Sequence, residues 1–248
     1  MAFLTLNFPS WALGHETEVY VILPNTDRKE KPCRNLYLLH GLSDDNTVWM
    51  RRTSIERYAD KYSIAVIMPN GGKSFYTDML YGEAYYTYIS KELPQKMSEY
   101  FGLSTERENN YIAGNSMGGY GALKTALREN DRFAAVAGLS SATDMSVKRF
   151  EDVMIPVFGD GLNVREEDDL FLLAANKKDS PTKPEIFMGI GTEDFLYEEN
   201  QRFLTVLKEN GYSVTYRESV GNHCWDFWDE YIQYALDWMF SEKDGNQE

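Results

Sequence analysis

Two cysteines and three histidines in 248 residues leave little material for a disulfide scaffold or a histidine-rich metal centre. Cys33 and Cys224 are therefore expected as free thiols in a reducing, cytoplasmic setting. Basic residues are also scarce. Lys and Arg total 25 against 39 Asp and Glu, a formal charge of −14. That balance argues against nucleic acid or an anionic membrane surface as partner, since both are held by clustered cations. No apolar run approaches the roughly 20 residues of a membrane span. Residues 1–14 lack a basic segment followed by an apolar core and a small-residue cleavage site, so no leader is expected there. There is no internal repeat and no His, Cys, Asp and Glu spacing of a metal site. Gly71-Gly72-Lys73-Ser74 lacks the earlier glycine of a phosphate loop. Neither a metal nor another cofactor is expected.

What the chain does have is alternation. Residues 17–23 carry the period-two pattern of a half-buried strand, while 36–39 and 64–68 are short continuous apolar runs suited to burial on both faces. Helical patterns at 55–62 and 83–101, the latter interrupted near Pro94, separate such runs. Further along, strands are predicted at 110–113, 133–139, 185–190 and 213–218. Helices are predicted at 118–128, 200–210 (capped by Gly211) and 225–240. Strands alternating with helices predict one α/β domain over 1–248, a doubly wound, mostly parallel sheet with helices on both faces. Residues 25–31 read as a solvated loop and 241–248 as a flexible tail. Residues 143–183 break the rhythm and read as a small inserted cap segment.

Ligands of such sheets bind at the carboxyl ends of the strands. One of those ends reads Gly114-Asn115-Ser116-Met117-Gly118, a G-x-S-x-G pattern between a predicted strand and a predicted helix. A serine on so sharp a turn needs glycine two residues before and after it, and the following helix turns its free N–H groups toward charge developing at the serine. Ser116 is the expected nucleophile, and the Met117 N–H one oxyanion donor.

A serine needs a base, and only His15, His40 and His223 are available. His15, beside Gly14, reads as a turn residue. His40 precedes Gly41 at the end of an apolar strand, where a loop supplying the second oxyanion N–H begins; Leu42 is assigned that N–H and His40 the role of orienting the loop. His223, in Gly221-Asn222-His223-Cys224-Trp225 after the last strand, is the expected base. The orienting acid should follow a strand between Ser116 and His223. Asp194 in Gly191-Thr192-Glu193-Asp194 is preferred over Glu193, and over Asp179, which precedes that strand. His40, Gly41, Trp49, Tyr81 and Tyr85 are the candidate substrate-binding residues.

With Leu38-Leu39-His40-Gly41-Leu42-Ser43-Asp44 added to these motifs, the chain resembles the esterase D family of α/β-hydrolases nearly end to end, and within it the bacterial tributyrin esterases. The resemblance implies a serine carboxylesterase that hydrolyses short-chain acyl esters through an acyl-enzyme, with Ser116, Asp194 and His223 as triad. Relatives include S-formylglutathione hydrolases, carbohydrate acetyl and feruloyl esterases and mycolyl-transferring enzymes, so those substrates stand as alternatives, with a non-catalytic binding protein behind them. A small ester is the expected partner, and a homo-oligomer is compatible with the aromatic content.

Overall fold

The computed structural model describes residues 1–25 and 32–241. The 25–31 loop and the 241–248 tail fall almost wholly outside the described residues. Eight strands, β1 (Ala2–Ser10), β2 (His15–Leu23), β3 (Asn35–Leu39), β4 (Ala65–Pro69), β5 (Asn110–Asn115), β6 (Ala135–Leu139), β7 (Glu185–Gly191) and β8 (Val214–Ser219), form one sheet. Their order is β1-β2-β4-β3-β5-β6-β7-β8. Pairing is parallel from β4 through β8 and antiparallel for β1 with β2 and β2 with β4. This is the α/β-hydrolase fold. The antiparallel β1–β2 hairpin is a feature the sequence pattern did not predict. His15 opens β2 rather than sitting in the turn, paired with Ser10.

The helices are α1 (Val48–Arg52), α2 (Ile55–Tyr62), α3 (Tyr85–Thr87), α4 (Leu93–Phe101), α5 (Met117–Arg128), α6 (Glu151–Phe158), α7 (Leu170–Asn176), α8 (Tyr197–Glu209) and α9 (Trp225–Phe240). Alternate strand residues feed two cores. Leu36 and Leu38 of β3 join α1, α2 and α9, while Tyr37 and Leu39 join α4 to α8 on the other face. Burial on both faces explains why β3 and β4 read as unbroken apolar runs.

Several strand bounds differ from the predicted ones by one or two residues, and two helices differ by more. The 83–101 helix becomes α3, a π-turn at Tyr88–Glu92, and α4, with Pro94 in the first turn of α4 rather than breaking its middle. Proline has no N–H for the Ser90 carbonyl, which instead accepts from Arg132. Helix α8 starts three residues earlier than the predicted 200.

The β6–β7 connection carries α6 and α7 and is tied to α5 by a buried ion pair. Lys124 Nζ lies 3.1 Å from Asp168 Oδ1, both side chains fully buried, and Arg165 Nε reaches Asp168 Oδ2 at 2.6 Å. The Tyr120 hydroxyl donates to the Asp168 carbonyl at 2.6 Å. Chain order reverses at β3: β4 lies on one side of it and β5 on the other. The crevice beyond the carboxyl ends of β3 and β5 is the switch point where such sheets bind ligands.

Candidate active site

Ser116 links β5 to α5 with φ 53° and ψ −118°, a conformation an L-residue holds only when its surroundings fix it. Three hydrogen bonds do so. Its N–H donates to Leu139 O at 2.8 Å, and its carbonyl accepts from Tyr120 N at 3.0 Å and Ala142 N at 3.2 Å. The flanking glycines are sterically required. A methyl on Gly114 would sit 2.4 Å from Gly118 O, and one on Gly118 2.4 Å from Leu39 O and 2.6 Å from His40 O. The elbow therefore presses directly on the end of β3 and the loop after it.

The turn aims the Ser116 hydroxyl at His223, whose Nε2 lies 2.9 Å from Oγ. The imidazole is held from behind by Asp194, with Nδ1 2.9 Å from Oδ2 and 3.1 Å from Oδ1. Asp194 is buried, and its Oδ1 also accepts from Leu196 N at 2.9 Å. This pairing puts the proton on Nδ1 and leaves Nε2 free to accept from the serine. The loops bearing the acid and the imidazole are joined by the Glu193 N–H, which donates to Gly221 O at 2.9 Å. Of the carboxylates weighed from the sequence, Asp194 is the one whose oxygens meet His223. The Phe195 ring lies 4.5 Å from the imidazole centre and the Trp228 ring 4.8 Å, so aromatic walls enclose it.

Among the described residues, neither the Leu42 nor the Met117 N–H donates to a protein group. Met117 opens α5, whose positive end therefore faces the serine. The cleft over Ser116 has a volume of about 550 Å³, within the range of small-ligand sites. Gly41, Leu42, Asp44, Phe150, Val153, Phe195, Trp225 and Trp228 line it with Ser116 and His223, together with the exposed Lys73. Burial pushes the Asp44 carboxyl up, with Asp45 adding to the shift.

Gly41 lines this cleft as the sequence suggests, but four other candidate substrate-binding residues do not. Trp49 is 1% exposed, donates Nε1–H to Leu39 O at 3.1 Å and packs edge-on behind Trp225 at 4.9 Å, so it buttresses a cleft residue instead of touching ligand. Tyr81 is 65% exposed, in a loop whose N–H donates to Pro156 O at 2.9 Å. Tyr85 packs on the core beside Gly72. His40 is buried with both ring nitrogens engaged by backbone, Nδ1 on Gly41 O and Nε2 on Gly71 N, each at 2.8 Å. Burial lowers its pKa, which keeps the ring neutral.

The sequence reading missed the rim residues. Phe195 directly follows Asp194, and Trp225 and Trp228 sit three apart at the start of α9, spacings that put them beside the acid and the imidazole once those are known. Phe150 and Val153 come from the β6–β7 connection, and nothing in their local pattern signals a ligand.

The family model described as "Putative esterase" matches residues 10–238. The chain belongs to this esterase family. An acetyl esterase of Caldicellulosiruptor saccharolyticus is 33% identical to it over 98% of this chain and 100% of the relative. Among solved structures, the fluorophosphonate-binding serine hydrolase F of Staphylococcus aureus, substrate bound, superposes with a TM-score of 0.90 at 36% identity, covering 97% of this chain and 99% of the other. S-formylglutathione hydrolase from the same organism gives 0.87 at 36% identity, with the same coverage. The protein is thus a carboxylic ester hydrolase on the α/β-hydrolase fold. Among its described residues no helix is long and apolar enough to cross a membrane.

Proposed function

We propose that this esterase hydrolyses short-chain acyl esters through an acyl-enzyme on Ser116, with His223 as base and Asp194 as its orienting acid. The observation that carries the proposal is the unbroken chain from Ser116 Oγ to His223 Nε2 at 2.9 Å and from Nδ1 to Asp194 at 2.9 Å, at the floor of an open cleft. As Ser116 Oγ bonds to the ester carbonyl carbon, His223 Nε2 takes the hydroxyl proton. The carbonyl oxygen gains the negative charge between the N–H groups of Leu42 and Met117. Collapse breaks the bond to the alcohol oxygen, which receives that proton from His223, and leaves acyl-Ser116. Water then attacks in the same way: His223 takes its proton, the acid departs, and the proton returns to Ser116. Asp194 stabilises the imidazolium formed in each half.

The short-chain preference rests on the rim. Phe150 and Val153 of the β6–β7 connection, which acts as a small cap over the sheet, and the rings of Phe195 and Trp228 bound the space beside Ser116. Nitrophenyl acetate, butyrate and octanoate test this reading. The acetate and butyrate should exceed the octanoate in kcat/KM by about tenfold or more, and Ser116→Ala should abolish turnover of all three. Preferred hydrolysis of the octanoate would sink the chain-length claim.

A second reading, cleavage of S-formylglutathione, is favoured by the S. aureus relative of that name. Lys73 also favours it, as an exposed cation that lines the cleft without an ion-pair partner among the described residues and could meet a leaving group bearing carboxylates. A higher kcat/KM for that thioester than for nitrophenyl acetate would select it.

A further inference from the structure

The Leu42 N–H can serve as a donor only if its peptide plane is fixed, and the loop 40–42 contains Gly41, the residue least able to fix its own backbone. Two consecutive peptides must be held from outside. The Gly41–Leu42 peptide is held by His40, whose Nδ1–H donates to Gly41 O at 2.8 Å, so the planar trans peptide turns its N–H the opposite way. The preceding His40–Gly41 peptide is held by a different residue. The Tyr76 hydroxyl donates to His40 O at 2.9 Å.

Tyr76 is fully buried, and burial raises its phenol well above the usual range, so it remains a donor at any working pH. Its ring is wedged between two glycines. A methyl on Gly71 would come 2.3 Å from the ring, and one on Gly121 of α5 would come 2.4 Å from it. Gly71 is also the residue whose N–H holds His40 Nε2. One side chain thus touches the helix that carries the Met117 N–H, the loop that orients His40, and the carbonyl next to the Leu42 donor loop.

The backbone around Tyr76 is itself constrained. Phe75 and Tyr76 both hold positive φ, at 49° and 50°. The turn is locked by Ser74 Oγ, which donates to Gly71 O at 2.6 Å and accepts from Tyr76 N at 2.9 Å, and by Lys124 Nζ, which donates to Phe75 O at 3.4 Å and to the Thr77 hydroxyl. Adjacent left-handed residues without glycine persist only where the surroundings over-determine them, and such outliers cluster at functional sites.

We propose that Tyr76 is a positioning residue, a strut between α5 and the 40–42 loop whose hydroxyl sets the mutual placement of the Leu42 and Met117 donors. The inference rests on the acyl-enzyme reading above, which assigns those two N–H groups to the oxyanion. Without the hydroxyl, the His40 carbonyl, which lies against Gly118, is a buried acceptor with no partner, and its peptide is free to turn.

The test compares wild-type protein with Tyr76→Phe, Tyr76→4-fluorophenylalanine and Tyr76→4-aminophenylalanine, using nitrophenyl butyrate and an alkyl trifluoromethyl ketone that forms a tetrahedral oxyanion on serine. The fluoro ring fills the space of the hydroxyl without donating, and the amino ring donates. The strut predicts a fall in kcat of about 30-fold for the phenyl and fluorophenyl variants, short of the loss of a whole oxyanion donor. KM should stay within about twofold, ketone affinity should fall in parallel with kcat, and the amino variant should recover most of both. A fluorophenyl variant with wild-type kcat, or a loss confined to thermal stability or KM, would overturn it. Should Tyr76→Phe fail to fold, the fluoro and amino pair still decides the matter. A wild-type protein that neither turns over the ester nor binds the ketone would instead remove the acyl-enzyme reading on which the strut depends.

Discussion

The floor and the rim of the cleft are built from different materials. At the floor, main chain meets main chain: the elbow at Gly114 and Gly118 leaves less than 3 Å for a methyl group against Gly118 O, Leu39 O and His40 O. At the rim, side chains meet open space, with Phe195 half exposed and Phe150 and Val153 only partly buried on the β6–β7 connection. Backbone contacts of this kind leave no room for a side chain unless the main chain shifts, whereas the rim can change size and polarity without disturbing the elbow. The placement of the proposed reacting groups thus belongs to the sheet and its turns, and the shape of the cleft mouth to residues outside them.

The largest expected effect lies in the floor. Asp194→Asn should leave the fold in place and lower kcat by about 10⁴-fold, because an amide no longer selects the imidazole tautomer with a free Nε2. Far-ultraviolet circular dichroism beside nitrophenyl acetate kinetics checks both halves. Gly118→Ala attacks the same wall sterically. Its methyl must push the helix off Leu39 O and His40 O, parting the two proposed oxyanion donors, and a loss of about 10²–10³-fold in kcat is expected. Near-normal kcat in that variant would erase the contrast between floor and rim.

The junction between the two regions should show in stability. Asp168→Asn leaves Lys124 buried without its counter-charge, and about 3–5 kcal/mol should be lost in urea unfolding at neutral pH. Burial alone would raise the Asp168 carboxyl, yet Lys124 and Arg165 together hold it below the usual carboxylate range. A carboxyl held lower in the folded than in the unfolded chain stabilises fully above about pH 4 and less as the pH falls through its folded value. The stability gap between wild type and Asp168→Asn should therefore narrow on acidification, and a gap independent of pH would contradict the pairing. The smallest effect belongs to the rim. Phe150→Ala should shift the butyrate-to-octanoate ratio of kcat/KM toward the longer chain by about tenfold, with acetate turnover little changed.

The same division explains what was legible in the sequence. The residues that make the floor are short-range signals: a serine between glycines at a strand-to-helix junction, a histidine–glycine pair at a strand end, an acid after the next strand but one. The limits of α2 and α9 follow from unbroken helical periodicity and match residue for residue. The rim was not legible, because Phe150 meets Phe195 only through the path of a long connection, and Trp49 and Trp225 differ in role only through which one faces the cleft. Tyr85 and Tyr81 read as cleft aromatics from their type, and tertiary placement assigns one to the core and the other to the surface. The β1–β2 hairpin and the Tyr76 contacts likewise depend on pairings that no local pattern announces.

The proposed chemistry depends above all on Ser116 being made nucleophilic by His223. Intact-mass analysis of the protein treated with a fluorophosphonate, followed by peptide mapping, tests it directly. A single adduct on Ser116 is expected, formed rapidly in the wild type and slower by orders of magnitude in a folded His223→Ala variant. An adduct on another residue, or equal labelling rates with and without the imidazole, would contradict it.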